Sequence, residues 1–378
     1  MDLGLTEIQQ MLKTSAQDFL TRECPLTLVR EMEGDSKGYT DDLWRQMVGL
    51  GWTGVAFPEQ YGGTGGTFAD LGVLLEEIGR SLAPSPFFST VVLGGMTVLD
   101  GGSDAQKDEI ISRICAGTII MTMGLSEASV STEPWGIEAT ATQQGSNYRI
   151  NGTKLFVPDA ESSDTIIFAA RTSSESDPSK GISLFLVPSG ADGLTITAMN
   201  SVGNERVYEV SLENVNVSAD LLIGAVGEGW PIIERTLMRA TAGQCIEMLG
   251  GAVAVLEMTV EYAKGRTQFG RPIGSFQAVQ HHCARMATDV EGSKNIAYQA
   301  VWRLAEGLPA QKEVAMAKAW IGPAYRRVCG TAHQCHGAIG FTKEHDLQLY
   351  TRRAKVHELT YGDANHHKEV AFQHVDDE

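Results

Sequence analysis

The sequence has few basic residues for its size: 30 Lys and Arg stand against 47 Asp and Glu, a formal net charge of -17 over 378 residues. An excess of negative charge opposes binding to phosphate backbones and to anionic lipid surfaces. We therefore expect neither a nucleic-acid partner nor a membrane partner. The length permits a substantial core divided into two or three domains, which is large enough for an enzyme.

Paired cysteines, a secretory start and long apolar runs are also missing. The opening "MDLGLTEIQQ" has neither the basic nor the apolar region of a secretory signal. No apolar run approaches the roughly 18 to 20 residues that span a bilayer. The six cysteines are scattered without a CxxC pair, at Cys24, Cys115, Cys245, Cys283, Cys329 and Cys335. We expect a soluble protein in a reducing, cytoplasmic compartment.

Neither of the common nucleotide-binding motifs is present. The chain has no GxxxxGK[ST] phosphate loop and no GxGxxG after a strand. The nearest glycine cluster, "YGGTGGT" at 61 to 67, lacks a preceding strand and is predicted to be a loop between helices.

Metal binding is not expected either. The histidines occur as adjacent pairs, His281 with His282 and His366 with His367, and adjacent residues on a helix diverge instead of converging on one ion. No Cys or carboxylate stands at a convincing ligand spacing. His366, His367 and the acidic end "HVDDE" are interpreted as a solvated terminus.

The sequence does contain a change from a helical pattern to a β pattern and back to a helical pattern. Residues 1 to 117 show apolar positions at helical spacing, as in "ADLGVLLEEIG". Residues 118 to 228 hold short β-rich runs such as "TIIFAAR" and "ISLFLVP". Residues 229 to 378 return to long helical patterns. The prediction is an α+β fold with an N-terminal helical domain, a middle antiparallel β domain and a C-terminal four-helix bundle.

Three strings, in this order, carry a resemblance to a known family. They are "FPEQYGG" at 57 to 63, "EYAKGRTQFGRPIGSFQAVQH" at 261 to 281 and "QCHGAIGFTKEHDLQLYTRRAK" at 334 to 355. Together with the domain order, they resemble the acyl-CoA dehydrogenase family over nearly the whole chain. The resemblance implies a β domain between two helical domains, with FAD held between the subunits of a tetramer.

The resemblance assigns one side of the FAD site to the C-terminal domain. Arg266, Gln268, Phe269, Gln334 and Gly337 would clasp the adenosine and pyrophosphate of an FAD shared with a neighbouring subunit. The residue types suit this role. Arginine offers a planar charged fork for pyrophosphate, glutamine offers amide donors and acceptors, and glycine lets a backbone approach a ligand closely.

The flavin-ring side departs from the family pattern. Where the family reads Thr-Glu-Pro-Gly-Ala-Gly-Ser-Asp, this chain has "SEASVSTEPWG", and "GTKLFVPDAES" replaces Gly-x-Lys-x-Trp-Ile-Thr-Asn-Gly. Phe156 stands where a tryptophan normally packs on the flavin, and Pro158 stands where a threonine donates hydrogen bonds. Proline has no N–H, so one donor is lost. Ser126 and Phe156 remain candidate ring contacts.

The usual catalytic carboxylates are missing as well. Many members carry Tyr-Glu-Gly-Thr late in the chain, with the glutamate as the base, but this chain has "TYGD", so Tyr361 takes the glutamate position. A phenol with a pKa near 10 is a poor base at neutral pH. Asp363 is interpreted as a turn residue. In a second subgroup the glutamate lies 29 residues before the Phe of the Gln-Phe-Gly motif, which here is Ala240.

Glu247 is the candidate that replaces them. It lies seven residues after Ala240, about two helical turns, so both residues project from nearly the same face. Its neighbours on that face are small, and a carboxylate among small apolar residues is poorly solvated, which raises its pKa toward that of a base. Some bacterial members resembling the steroid side-chain dehydrogenases use a glutamate displaced along this helix.

The implied activity is that of an FAD-dependent acyl-CoA dehydrogenase subunit. It would remove a proton and a hydride from adjacent carbons of a CoA thioester and pass electrons to an electron-transfer flavoprotein. Because the adenosine side is kept while the ring side and both glutamates are altered, the chain resembles subunits of the bacterial heteromeric, steroid side-chain type. The substrate would be a bulky, cyclic or steroid-derived acyl-CoA.

Three alternatives stay open. The chain could self-associate to a tetramer instead of pairing with a second acyl-CoA dehydrogenase subunit. It could be a non-catalytic partner that completes the FAD site of another chain. It could also be a flavin monooxygenase of the same family that uses no CoA.

Overall fold

Helices occupy the two ends of the chain in the computed structural model, which describes residues 4–376. The helices are α1 (Glu7–Glu23), α2 (Leu26–Gly34), α3 (Asp41–Gly49), α4 (Phe68–Ser81), α5 (Met96–Gly101), α6 (Asp104–Cys115), α7 (Trp230–Gly265), α8 (Gln277–Ala305), α9 (Gln311–His336), α10 (Leu347–Leu359) and α11 (Ala364–Gln373). A π-helical segment, Phe88–Gly95, leads into α5.

Local signals set several of these helix starts. Thr6 begins α1 with a capping box in which its hydroxyl and the Gln9 side chain satisfy each other's backbone N–H groups. Thr67 and Asp70 do the same for α4. The segment "YGGTGGT" is the connection that ends at this cap, so the prediction of a loop between helices is confirmed.

Strands fill the middle of the chain. They are β1 (Met121–Gly124), β2 (Thr140–Gln144), β3 (Asn147–Pro158), β4 (Thr165–Arg171), β5 (Ile182–Pro188), β6 (Leu194–Met199), β7 (Val207–Ser218) and β8 (Leu222–Ile223), followed by a small hairpin of β9 (Thr267–Gln268) and β10 (Arg271–Pro272). The sheet order is β6-β7-β3-β2-β4-β5-β8, with β1 also paired to β4. Its inner face packs Ile150, Phe168, Phe185, Val210 and Val215 into one core.

The predicted antiparallel sheet is mixed. Most neighbours pair antiparallel, as β4 does with β5, but β1 lies parallel to β4, with Met121 opposite Thr165. Strand β2 carries no strand pattern in the sequence, because its residues "TATQQ" are polar and mostly exposed. This strand exists because β3 supplies its hydrogen-bond partners, which local pattern does not reveal.

The chain divides into two compact units. The first comprises the described residues up to Glu31, together with Thr67–Ala83 and the residues from Thr241 onward. In it α1 packs on α4, α4 on α8, and α9 on α8, α10 and α11. The second comprises Met32–Gly66 and Pro84–Ala240 and contains the large sheet. The predicted domain boundaries at 117 and 228 stay predictions.

The C-terminal region has five described helices, α7 to α11, and the predicted four-helix-bundle domain stays a prediction. The fifth corrects the interpretation of His366 and His367 as a solvated terminus. Helix α11 packs on α9 and leaves His367 only 7% exposed, with its Nε2 atom 2.8 Å from the Tyr361 carbonyl oxygen. Burial lowers the pKa of His367 to about 4.

The sequence predicts no apolar run long enough to span a bilayer, yet one described helix, α7, is long and apolar enough by length and composition alone. The expectation of no membrane partner stays a prediction. Within the described residues, however, 67% of the apolar window is buried inside the fold, as in the core helix of a folded domain.

Candidate active site

Glu247 lies in the middle of α7 and is half-buried. The small residues predicted to share the Glu247 face of α7 allow another helix to approach closely. Gly243, Gly250 and Gly251 are all buried. A Cβ added to Gly250 would collide with the Glu76 carbonyl oxygen and lie 2.7 Å from the Arg80 nitrogen. Helices α4 and α7 therefore touch backbone to backbone at this point.

A buried polar cluster lies one turn before Glu247. The Lys318 ammonium, on α9, donates to the Gln244 side-chain oxygen at 2.6 Å and to the His357 carbonyl oxygen. Burial lowers the pKa of Lys318 to about 8. Three helices, α7, α9 and α10, are thus joined through one side chain, which fixes the α7 turn that precedes the candidate base.

The "TYGD" segment supplies no free carboxylate. Tyr361 has a positive φ of 59°, and its carbonyl oxygen pairs with His367. Asp363 is the N-cap of α11, because its carboxylate accepts hydrogen bonds from the backbone N–H groups of Asn365 and His366 at 3.0 and 2.9 Å. The interpretation of Asp363 as a turn residue is confirmed.

The proposed FAD residues after α7 lie on the β9–β10 hairpin. Arg266, Gln268 and Phe269 are all exposed, and the Phe269 side chain is 93% exposed. Phe269 and Gly270 both have positive φ, as in the two central positions of a type I′ turn. A bulky side chain held in this conformation and left in solvent is costly for an isolated fold. Such a feature is typical of a surface that another molecule covers.

Gln334 and Gly337 lie where α9 ends. Gln334 is exposed in the last turn, and Gly337 has φ 65° and ψ -146°, a conformation that only glycine adopts readily. Ile339 and Phe341 follow and are also exposed. The end of α9 therefore presents a glycine turn flanked by apolar side chains.

Tyr262 and His336 bring these two segments together. Their rings stack with centroids 4.3 Å apart, four residues before Arg266 and one residue before Gly337. We call the set Arg266, Gln268, Phe269, Gln334 and Gly337 the clasp. His336 is buried, and burial lowers its pKa to about 4, so its ring is uncharged at neutral pH.

Ser126 and Phe156 lie in the other compact unit and are also close to each other. The Leu155 N–H donates to the Ser126 carbonyl oxygen at 2.8 Å. The pairing of β3 with β7 slips between Lys154 and Val157, and Phe156 in that bulge has a positive φ of 56°. The bulge turns Phe156 outward, while Lys154 and Val157 both stay buried.

An ion pair that the sequence does not reveal lies beside Ser126 and Phe156. The Lys154 ammonium lies 2.5 Å from a Glu127 carboxylate oxygen, and the Lys154 side chain is 0% exposed. Glu127 lies in "SEASVSTEPWG" and Lys154 lies in "GTKLFVPDAES", the two segments that depart from the family pattern. Because the two residues are 27 positions apart, no local sequence pattern indicates that they pair. Among the described residues there is no group of three or more His, Cys, Asp or Glu side chains placed to hold a metal ion.

Three family descriptions match successive parts of the chain. "Acyl-CoA dehydrogenase, N-terminal domain" matches residues 6–118, "Acyl-CoA dehydrogenase, middle domain" matches residues 122–215, and "Acyl-CoA dehydrogenase, C-terminal domain" matches residues 227–375.

Individual proteins are similar over the full length. A probable acyl-CoA dehydrogenase, YngJ, of Bacillus subtilis is 31% identical and covers 96% of each chain. The structure of butyryl-CoA dehydrogenase from Megasphaera elsdenii aligns with a TM-score of 0.92 at 29% identity, over 99% of this chain and 100% of that one. A chain of the ChsE4-ChsE5 complex from Mycobacterium tuberculosis aligns with a TM-score of 0.90 at 29% identity over 100% of both chains.

Proposed function

The chain belongs to the acyl-CoA dehydrogenase family, and on that premise we propose that it is one subunit of a heteromeric FAD-dependent dehydrogenase. The proposed reaction introduces a double bond next to the thioester of a bulky, cyclic or steroid-derived acyl-CoA. FAD is the cofactor of the family. The proposed subunit passes the electrons to an electron-transfer flavoprotein and acts in the cytoplasm.

The clasp residues fit one end of an FAD. Arg266 offers an exposed cation for the pyrophosphate, and the Gly337 turn lets a ligand meet the backbone. Exposed Phe269 offers an apolar face that the chain itself leaves uncovered. Because every clasp residue is exposed in the single chain, the clasp suits a ligand that a second chain completes. When bound, FAD would accept the hydride from the substrate.

Glu247 is the proposed base that removes the proton next to the thioester. Its support is its place on a buried stripe of α7, backbone to backbone with α4, which restricts its movement. Ala240 and Tyr361 leave the two usual family positions without a carboxylate.

One observation carries the heteromeric assignment: an intact, exposed clasp occurs in the same chain as an altered ring side, where Pro158 removes a donor and Phe156 replaces a tryptophan. A chain that shares its FAD with a different subunit keeps its clasp, while its ring-side segments can depart from the family pattern because the second subunit contributes to the same site. The similarity to a chain of a two-component complex agrees with this division.

Co-expression tests the proposal. The chain is purified alone and with each second acyl-CoA dehydrogenase chain encoded next to it, and flavin absorbance and molecular mass are measured. We expect little flavin in the chain alone and a yellow heterotetramer with the correct companion. A yellow homotetramer that oxidises a straight-chain acyl-CoA would contradict the heteromer, and oxygen consumption without any acyl-CoA would contradict the dehydrogenase.

A further inference from the structure

The buried pair of Lys154 and Glu127 has no part in the clasp or in proton removal. Lys154 lies on β3 with its ammonium 5.1 Å from the centre of the Phe168 ring, and burial lowers its pKa to about 8. Burying an ion pair costs desolvation, and a well-packed apolar pair is often at least as stable. Stability alone therefore does not explain why the pair is present.

The hydrogen bonds of the pair reach both ends of one loop, residues 128 to 137. Glu127 immediately precedes this loop. Its carboxylate accepts from the backbone N–H groups of Glu138 at 3.0 Å and Ala139 at 3.1 Å, which immediately follow it. Lys154 neutralises that carboxylate and also donates to the Leu125 carbonyl oxygen at 3.2 Å. The Glu127 side chain thus joins the two ends of the loop, and the Lys154 ammonium balances the charge of the Glu127 carboxylate.

The two candidate ring contacts, Ser126 and Phe156, lie at this same closed end of the loop. Ser126 is next to Glu127 in the chain, and its carbonyl oxygen accepts from Leu155, the residue after Lys154. Phe156 follows in the β3 bulge and projects outward from the point where Lys154 is anchored inward. The pair therefore connects the Ser126 segment, the Phe156 bulge and the loop.

We propose that Lys154 and Glu127 are positioning residues for the flavin ring: together they hold the loop of residues 128 to 137, Ser126 and Phe156 in one fixed arrangement. This inference rests on the proposed function, because it takes Ser126 and Phe156 to face the ring. The pair touches neither substrate nor cofactor and acts only through these backbone segments. Its role is independent of which chain supplies the base.

The main test variant is Lys154→Met in the complete FAD-containing assembly. The change leaves the Glu127 carboxylate buried without its cation, which is costly and favours openings in which the carboxylate reaches solvent and releases the N–H groups of Glu138 and Ala139. Hydrogen–deuterium exchange, followed by mass spectrometry, measures those amides directly. We expect exchange in the peptide spanning 127 to 139 to become roughly ten- to a hundredfold faster.

Spectroscopy of the bound flavin separates positioning from simple structural support. We expect Lys154→Met to keep its FAD through the clasp, to shift the visible absorbance and reduction potential of the flavin, and to lower kcat more than it raises KM. The double variant Lys154→Met/Glu127→Gln removes the stranded charge but keeps an acceptor oxygen. It is expected to recover part of the wild-type spectrum and exchange rate.

Lys180→Met is the matched control. Lys180 pairs with Glu228 at 2.8 Å in the same compact unit, but both side chains are about half exposed. We expect this variant to match wild type in exchange, spectrum and turnover. If Lys154→Met does not fold, Glu127→Gln alone provides a milder test with the same expected direction.

The outcomes separate this inference from the proposed function. An assembly that never holds FAD contradicts the proposed function, while faster exchange at Glu138 and Ala139 still supports the loop-closing role. Conversely, a Lys154→Met assembly that binds FAD with wild-type spectrum, potential and exchange rate overturns the positioning role and leaves the dehydrogenase assignment intact. A lowered unfolding temperature with all three of these properties unchanged overturns the positioning role in the same way.

Discussion

Gly79 on α4 packs directly against the backbone of Glu247 on α7. A Cβ at position 79 would lie 2.5 Å from the Glu247 Cα atom and closer still to its carbonyl oxygen. The obstacle is backbone, so no side-chain rotation can relieve it. The position of Glu247 therefore depends on the absence of a side chain on the facing helix.

Gly79→Ala is expected to destabilise the protein by about 1 to 3 kcal/mol, the usual cost of overpacking. It should also lower turnover, because the helices must separate where Glu247 is held. Thermal unfolding and steady-state kinetics measure the two effects. Gly330→Ala on α9 is the control, since no atom lies within 4 Å of a Cβ there, and it should be neutral or stabilising by roughly 0.5 to 1 kcal/mol. Equal unfolding temperatures for the two variants would contradict the packing argument.

Much of the β domain could be predicted because its strands carry their own signal. The runs "TIIFAAR" and "ISLFLVP" coincide with β4 and β5. Strand β2 could not be predicted in this way, since its polar residues become a strand only through pairing with β3. The same limit applies to the parallel pairing of β1 with β4, which is a property of topology and not of local pattern.

The candidate site divides similarly. The clasp stays a prediction that rests on contiguous sequence motifs, whereas the pairing of Lys154 with Glu127 joins residues far apart in the chain and is seen only in the fold. The burial of His367 was missed because a short polar helix near a chain end resembles a solvated tail until its packing on α9 is known. Long-range contacts, not residue types, account for these errors.

Lys318 should be needed for folding and not for chemistry. Lys318→Met removes the buried donor of the Gln244 side-chain oxygen and the hydrogen bond to the His357 carbonyl oxygen, at a cost of roughly 1 to 3 kcal/mol for a buried group left unsatisfied. Lys318→Glu places a carboxylate against the same oxygens and is expected to prevent folding. Soluble yield and thermal unfolding measure both effects, with Lys368→Met on exposed α11 surface as the control. A soluble Lys318→Glu variant with wild-type stability would refute the prediction.

Stability should decline on mild acidification because of His336 and His367. Burial lowers the pKa of each to about 4, from an ordinary value of 6.5. Between these values the unfolded chain binds protons that the folded chain does not, so the stabilisation is complete above pH 6.5 and is lost as the pH falls toward 4. The unfolding temperature is measured from pH 7.5 to 5. His336→Phe, which keeps a ring against Tyr262, should show a shallower decline, and exposed His281→Gln should follow wild type.

The outcome that contradicts this assignment is an identical pH dependence in wild type and His336→Phe. In that case other titratable groups would control the acid response.

Asp363 should matter for the start of α11 and not for proton removal. Asp363→Ala loses the cap of two N–H groups and is expected to cost about 1 kcal/mol. Asp363→Asn keeps a capping oxygen and should retain both stability and turnover. The hydrogen bond from His366 lowers the pKa of Asp363, so this capping contribution is present above pH 3.8 and is lost only as the pH falls through the lowered value. A large loss of turnover in Asp363→Asn would instead make Asp363 a candidate base.

Glu247→Gln tests the proposed base in the active assembly. The amide has nearly the same shape but cannot accept the proton, and a positioned general base contributes on the order of 10² to 10⁴ in rate. We therefore expect kcat to fall by roughly that factor with FAD content unchanged. Exposed Glu234→Gln on the same helix is the control. Exchange of the substrate proton with deuterated water isolates the proton step from hydride transfer, and Glu247→Gln should abolish it. If exchange and turnover persist, the carboxylate of the companion chain acts alone, and this subunit contributes the clasp but not the base.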